Sequence, residues 1–198
     1  MMATLSKRLA LALLVIGLLT GIARGADLIP HGSFQGGLAG WEFVTSPAAE
    51  AKVSIVQGRI DEGGAAQVTL LKHDSFAGWE VALRSAIAEP LDPSRLYRLQ
   101  FAAASAQPGY VELCVQQAAA PHGILHLARV ATGPQPTSLA LVLPRASEEA
   151  DMQLSLWFGN GPVGTYWVDG ISLRPLTDEE MEALEQMPEG WQNGDFSA

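Results

Sequence analysis

Short runs of period-two alternation, broken by turn residues, constrain this chain more than any other feature of its sequence. Leu99 and Phe101 alternate with Arg98 and Gln100. Val111, Leu113 and Val115 alternate with Glu112, Cys114 and Gln116, and Leu154, Leu156 and Phe158 with Gln153, Ser155 and Trp157. This period sends successive side chains to opposite sides of an extended backbone, so each run reads as a half-buried strand. The pattern recurs around Val53–Ile55, Val68–Leu70 and Val81–Leu83, and over 124–131, 138–143 and 165–173. Turn residues separate the runs: Gly63-Gly64, Pro90 to Pro93, Gln107-Pro108-Gly109, Gly133-Pro134 and Gly159-Asn160-Gly161-Pro162. About nine short strands at this spacing predict an all-β fold, an antiparallel β-sandwich of jelly-roll type. The alanine runs 102–104 and 118–120 are flanked by strand pattern and then by Pro or Gly, so they read as a strand end and a loop.

The two ends of the chain differ from its middle. Lys7 and Arg8 precede the apolar run Leu9–Leu19, and Ala23-Arg24-Gly25 supplies small residues for cleavage before Ala26. Residues 1–25 therefore read as a signal peptide. The apolar run is shorter than the ~20 residues a membrane anchor needs. No cysteine follows it to carry a lipid. Export places the mature chain in the periplasm, on the cell surface or outside the cell. At the other end, Thr177-Asp178-Glu179-Glu180 has the form of a capping box, so residues 176–198 are expected to form a tail with a short acidic helix. Met181, Leu184 and Met187 would share a face of that helix, and Pro188 would stop it. Residues 26–175 remain for the sandwich.

Charge and cysteine content narrow the partners. The formal charge of −9 becomes −12 once Lys7, Arg8 and Arg24 leave with residues 1–25, which hold no acidic residue. A chain this acidic disfavours nucleic acid and anionic lipid, leaving neutral partners compatible. The lone Cys114 excludes an internal disulfide and, lying in an alternating run, reads as packed rather than reactive.

Two motifs frame the sandwich. Leu28-Ile29-Pro30-His31-Gly32-Ser33-Phe34-Gln35-Gly36-Gly37-Leu38-Ala39-Gly40-Trp41 opens it, and Gly164-Thr165-Tyr166-Trp167-Val168-Asp169-Gly170-Ile171-Ser172-Leu173 closes it. Between them lie Trp79-Glu80-Val81-Ala82-Leu83, then Leu91, Tyr97, Leu99, Phe101 and Ala103. Together these resemble the carbohydrate-binding modules of families 4 and 9, which have a galactose-binding-like sandwich, over about residues 27 to 175. The resemblance implies a polysaccharide or oligosaccharide ligand on the concave sheet, core positions and so a structural role for Trp41 and Trp167, and a structural calcium near the joined ends. The chain departs from the family pattern at Ser33, Gln35, Ala82 and Gly170, where acidic residues or a glutamine are usual. Asp169 is then the single carboxylate retained for calcium, which weakens such a site. Asn193-Gly194-Asp195-Phe196 resembles the opening motif again, as the start of a truncated second module or as a chance likeness.

Sugars are held by aromatic faces and by polar groups that satisfy their hydroxyls. Parity turns Trp157 outward with Gln153, and also Glu80, Arg98, Gln100, Glu112 and Gln116. Trp79 and Tyr110, at strand starts, are candidates for the rim of the cleft. No nucleophile elbow, zinc-protease motif or phosphate loop is present. His122 and His126 have no third ligand nearby. The leading expectation is a secreted, monomeric, non-catalytic carbohydrate-binding module. A structural or adhesive envelope module without a sugar ligand is the alternative. A small glycosidase using Glu80 and Glu112 comes third.

Overall fold

The computed structural model describes residues 26–73, 77–147 and 150–186. Met187, Pro188 and the Asn193–Phe196 likeness lie outside the described residues, as does the signal segment. The strands are β1 (Glu42–Thr45), β2 (Ala49–Gln57), β3 (Gly64–His73), β4 (Val81–Ala86), β5 (Tyr97–Ser105), β6 (Gly109–Gln117), β7 (Ile124–Thr132), β8 (Thr137–Leu143), β9 (Met152–Trp157) and β10 (Gly164–Pro175). A 3-10 turn, Gly78–Glu80, precedes β4, and the helix α1 (Asp178–Glu185) follows β10. The alternating runs all become strands, and the sequence pattern missed only the short β1. Ala102–Ala104 end β5 and Ala118–Ala120 lie in a turn, as expected.

The strands form two antiparallel sheets of five, ordered β1-β4-β9-β6-β7 and β2-β3-β10-β5-β8. Residues directly opposite each other on paired strands share a face, so register locates the core. Leu83, Leu156 and Leu113 form one inward row across the first sheet. Leu173, Leu99 and Leu141 form one across the second. Leu83, Leu156, Leu113, Leu173 and Leu99 are all fully buried. Apolar burial of this kind contributes roughly 1.5–3 kcal/mol per large side chain.

The two framing motifs meet at the seam between the sheets. The Leu28 N–H donates to the Leu173 carbonyl, and the Leu28 carbonyl accepts from Ala88, just past β4. The Ile171 N–H donates to the Gly32 carbonyl. A Cβ at residue 32 would lie 1.8 Å from the Ile171 carbonyl oxygen, so only glycine fits there. Phe34 is fully buried against Trp41, with ring centroids 5.2 Å apart. Gly170, where the family pattern has a second aspartate, sits at φ +61° in a register shift of β10. That left-handed geometry suits glycine.

Trp41 packs in the core as expected, but Trp167 does not. It lies on the outer face of the second sheet, where its indole N–H donates to Gln67 Oε1 at 2.9 Å. The Arg59 guanidinium sits 4.1 Å from its ring centroid. The capping box of α1 is present in full. Glu180, buried beneath the helix, accepts from Arg174 at 2.6 and 2.7 Å and from Arg98 at 3.0 Å.

Candidate binding face

Register lays out the outer face of the first sheet row by row. One row crosses all five strands: Val44, Ala82, Trp157, Glu112 and Arg129. The next is Glu42, Arg84, Ser155, Cys114 and Leu127. The third is Ala86, Gln153, Gln116 and Ile124. Ala82, Ser155 and Cys114 are short and fully buried, so the longer side chains around them close over the floor. Trp157, Arg84 and Gln153 are half-buried, while Leu127 and Ile124 on the edge strand β7 are exposed.

Glu112 anchors one end of this face. Its Oε1 accepts from Arg129 Nη2 at 2.7 Å and Nε at 3.3 Å, and its Oε2 accepts from Asn160 Nδ2 at 2.7 Å. The Tyr110 hydroxyl donates to the Asn160 carbonyl. The Arg129 guanidinium lies 4.3 Å from the Tyr110 ring centroid, a cation–π contact. A Cβ at Gly78 would come within 2.4 Å of Glu112 Oε2, so glycine leaves room for this network. Burial, aided by the Glu112 charge, pushes the Cys114 thiol up to about 12. A thiol held that high is unreactive at neutral pH.

The face also concentrates unsatisfied polar groups. Arg84 Nε, Ser155 Oγ, Trp157 Nε1 and Asn160 Oδ1 are buried without a hydrogen-bond partner among the described residues. Trp41 Nε1, also unpartnered, belongs to a residue that lines a shallow depression of about 350 Å³ with Glu42, Arg84, Ala86 and Gln153. Buried polar atoms are normally paired, with protein, ligand or water. These atoms lie on or beside one sheet face.

Trp157, Glu112, Gln116 and Gln153 therefore come together as the parity implied, with Tyr110 at their edge. Glu112 and Gln116 are more buried than an open cleft suggests, at 5% and 8% exposure. Trp79, 52% exposed, and buried Glu80 lie in the 3-10 turn that leads into β4, so Glu80 is not part of the strand. Arg98 and Gln100 do not belong to this face. Both are on β5 in the second sheet, Arg98 under α1 and Gln100 beside Ser172 and Ala140. Alternation gives a strand's outward side but not the sheet the strand joins. Arg84, Arg129 and Asn160 were missed, although Arg84 shares the parity of Ala82 and was legible on that basis.

Asp169 does not offer an open calcium ligand. It is 2% exposed and accepts from the Gly170 N–H at 2.6 Å. Burial, helped by neighbouring Asp61, pushes its carboxyl up to about 6. Calcium takes six to eight oxygens. Among the described residues no group of three or more His, Cys, Asp or Glu could hold a metal. Asp61 stands beside Asp169, and these two carboxyls do not by themselves make the six- to eight-oxygen set that the implied calcium takes. His126 shares the inward side of β7, opposite Val115, with its Nε2 unpartnered, whereas His122 lies in the preceding turn at φ +57°. They do not form a joint ligand set.

Solved structures share this architecture. A family 4 carbohydrate-binding module matches with a TM-score of 0.63 at 17% identity, covering 75% of this chain and 99% of its own. The N-terminal cellulose-binding domain of Cellulomonas fimi β-1,4-glucanase C matches at 0.56 and 18% identity, over 77% and 99%. The CBM22-1 xylan-binding domain of Paenibacillus barcinonensis Xyn10C matches at 0.55 and 13%, over 79% and 99%. No protein-family model matches the sequence, and no curated protein matches it. The chain has the β-sandwich fold of carbohydrate-binding modules.

Proposed function

We propose that this chain is an exported, non-catalytic module that binds a polysaccharide along the outer face of the β1-β4-β9-β6-β7 sheet. The observation that carries the reading is the row through Trp157, an aromatic beside a floor of short side chains and a cluster of unsatisfied polar atoms. An indole face packs against the apolar side of a sugar ring, and the partly exposed side chains of Arg84 and Gln153 meet its hydroxyls. The sugar-binding domains that share the fold add support. Export rests on residues 1–25. Against catalysis, both oxygens of Glu112 are already held by Arg129 and Asn160. A glycosidase carboxyl must instead reach its substrate. Affinity gel electrophoresis against soluble glucans, xylans, mannans and acidic polysaccharides tests the reading. Retardation is expected with at least one polymer, and none with any would sink it.

A second reading has one observation of its own. The edge strand β7 exposes Ile124 and Leu127, at 53% and 48%. An adhesive module would use such residues against another protein. Self-association or protein capture abolished by Ile124→Lys with Leu127→Lys, without sugar binding, would favour it.

A further inference from the structure

The outer face of the first sheet holds a cation with no counter-ion, in a chain whose excess charge is negative. Arg84 projects from β4 between Glu42 of β1 and Ser155 of β9. It is half-buried, its Nε is sealed from solvent, and among the described residues it forms no ion pair and no side-chain hydrogen bond. Other partly buried arginines are satisfied differently: Arg98 and Arg174 both meet Glu180, and Arg59 donates to the Pro134 carbonyl and lies over the Trp167 ring. Arg129, the other cation on this face, is neutralised by Glu112. Removing a guanidinium from water without a partner is costly, so an unpaired one on a candidate binding face points to an anion supplied by the ligand.

The surroundings of Arg84 are rich in donors. Trp41 Nε1 and Trp157 Nε1 can only donate, and Ser155 Oγ can donate. Arg84 is also well placed relative to the aromatic platform. Ala82 lies directly opposite Trp157, and Arg84 is two residues further along the same strand on the same face. Diagonal neighbours of this kind are about 7–8 Å apart. A ring packed on Trp157 brings its substituents, or those of the next sugar, within reach of a long arginine. A planar fork of N–H donors matches a carboxylate in two-pronged fashion.

We propose, resting on the polysaccharide-binding reading above, that the ligand is a uronic-acid polysaccharide and that Arg84 receives its carboxylate. The net charge, −9 for the full sequence and −12 without residues 1–25, opposes a polyanion over the whole surface. Preference for one must therefore come from this local site. Exposed Glu42, across from Arg84, works against the same carboxylate.

Affinity electrophoresis and calorimetry of the full mature chain test this. The probes are polygalacturonate and alginate, each native and carboxyl-reduced, with neutral glucan, xylan and mannan alongside. The native polyuronate that binds is expected to bind about tenfold or more tightly than its carboxyl-reduced form. Arg84→Met, checked for an unchanged melting profile, should abolish that difference. Glu42→Gln, an exposed change that leaves Arg84 in place, should tighten binding of the native polymer several-fold. Equal or tighter binding of neutral and reduced polymers overturns the inference while leaving the module reading standing. So does a preference that survives Arg84→Met, or an affinity unmoved by Glu42→Gln. Binding to none of the polymers overturns both.

Discussion

Trp157 carries the most weight of any residue on the candidate face, and it does so from a strand whose opposite side is pure core. Leu154, Leu156 and Phe158 are fully buried behind it. Trp157→Ala should therefore cost about 1–3 kcal/mol of binding, a 5- to 150-fold loss of affinity. The domain should lose less stability than the ~3–5 kcal/mol of a core tryptophan truncation. Calorimetric binding paired with thermal melting reads both quantities. Asp169 makes a prediction of a different kind. Its carboxyl, ordinarily at 3.8, is pushed up to about 6 in the fold, chiefly by burial. The folded state thus holds the proton more tightly than the unfolded chain. The stability it contributes is complete below about pH 4 and is lost as pH rises through about 6. A shift of that size corresponds to on the order of 3 kcal/mol. Asp169→Asn keeps an acceptor for the Gly170 N–H and should remove this loss. Above pH 6 the variant is expected to melt higher than the parent; equal or lower melting there contradicts the assignment.

At the scale of elements, the terminal helix and the opening segment are each held by one dominant device. Hydrogen bonds from Arg174 hold Glu180 down to about 2, with the Thr177 N–H and Arg98 adding to the effect and burial opposing it. Here the stability is present above about pH 4.5 and lost as pH falls through about 2. Glu180→Ala leaves two partly buried guanidiniums without their carboxylate, and should cost about 3–5 kcal/mol as for other broken buried pairs. Its clearest readout is faster amide exchange in α1 than in the central strands. The opening segment depends on the close approach of Gly32 to the Ile171 carbonyl. Gly32→Ala must push the two motifs apart, and chemical denaturation should show a loss of several kcal/mol, at the upper end of single substitutions. These elements also show what local sequence can reveal. The capping box was legible because its residues are three apart. The reach of Glu180 back to Arg98 on β5 was not, because nothing local links two residues so far apart in the chain.

Across the whole molecule, the buried carboxyls of Asp169 and Glu180 pull in opposite directions, and their joint contribution is greatest near about pH 4, while burial lowers His126 and so adds stability as pH rises. A melting temperature that rises steadily from pH 4 to pH 8 would mean that His126 outweighs Asp169. The sandwich itself was legible, since alternation and turn residues are local signals and the framing motifs mark both sides of one seam. The partition of strands between sheets was not, which is why alternation alone groups Arg98 and Gln100 with Trp157. Arg129 and Asn160 reach Glu112 from β7 and from the loop after β9, contacts that exist only once long-range pairing is made. That pairing has an order in time. β9 is the middle strand of one sheet and β10 of the other, yet among the described residues they are the last two strands. A nascent polypeptide that has emerged only as far as β8 holds two incomplete half-sheets, β1-β4 with β6-β7 and β2-β3 with β5-β8, and nothing to join the halves. Folding of this protein is therefore expected to wait for residues 152–175, and a chain ended at Leu143 should show no cooperative melting transition.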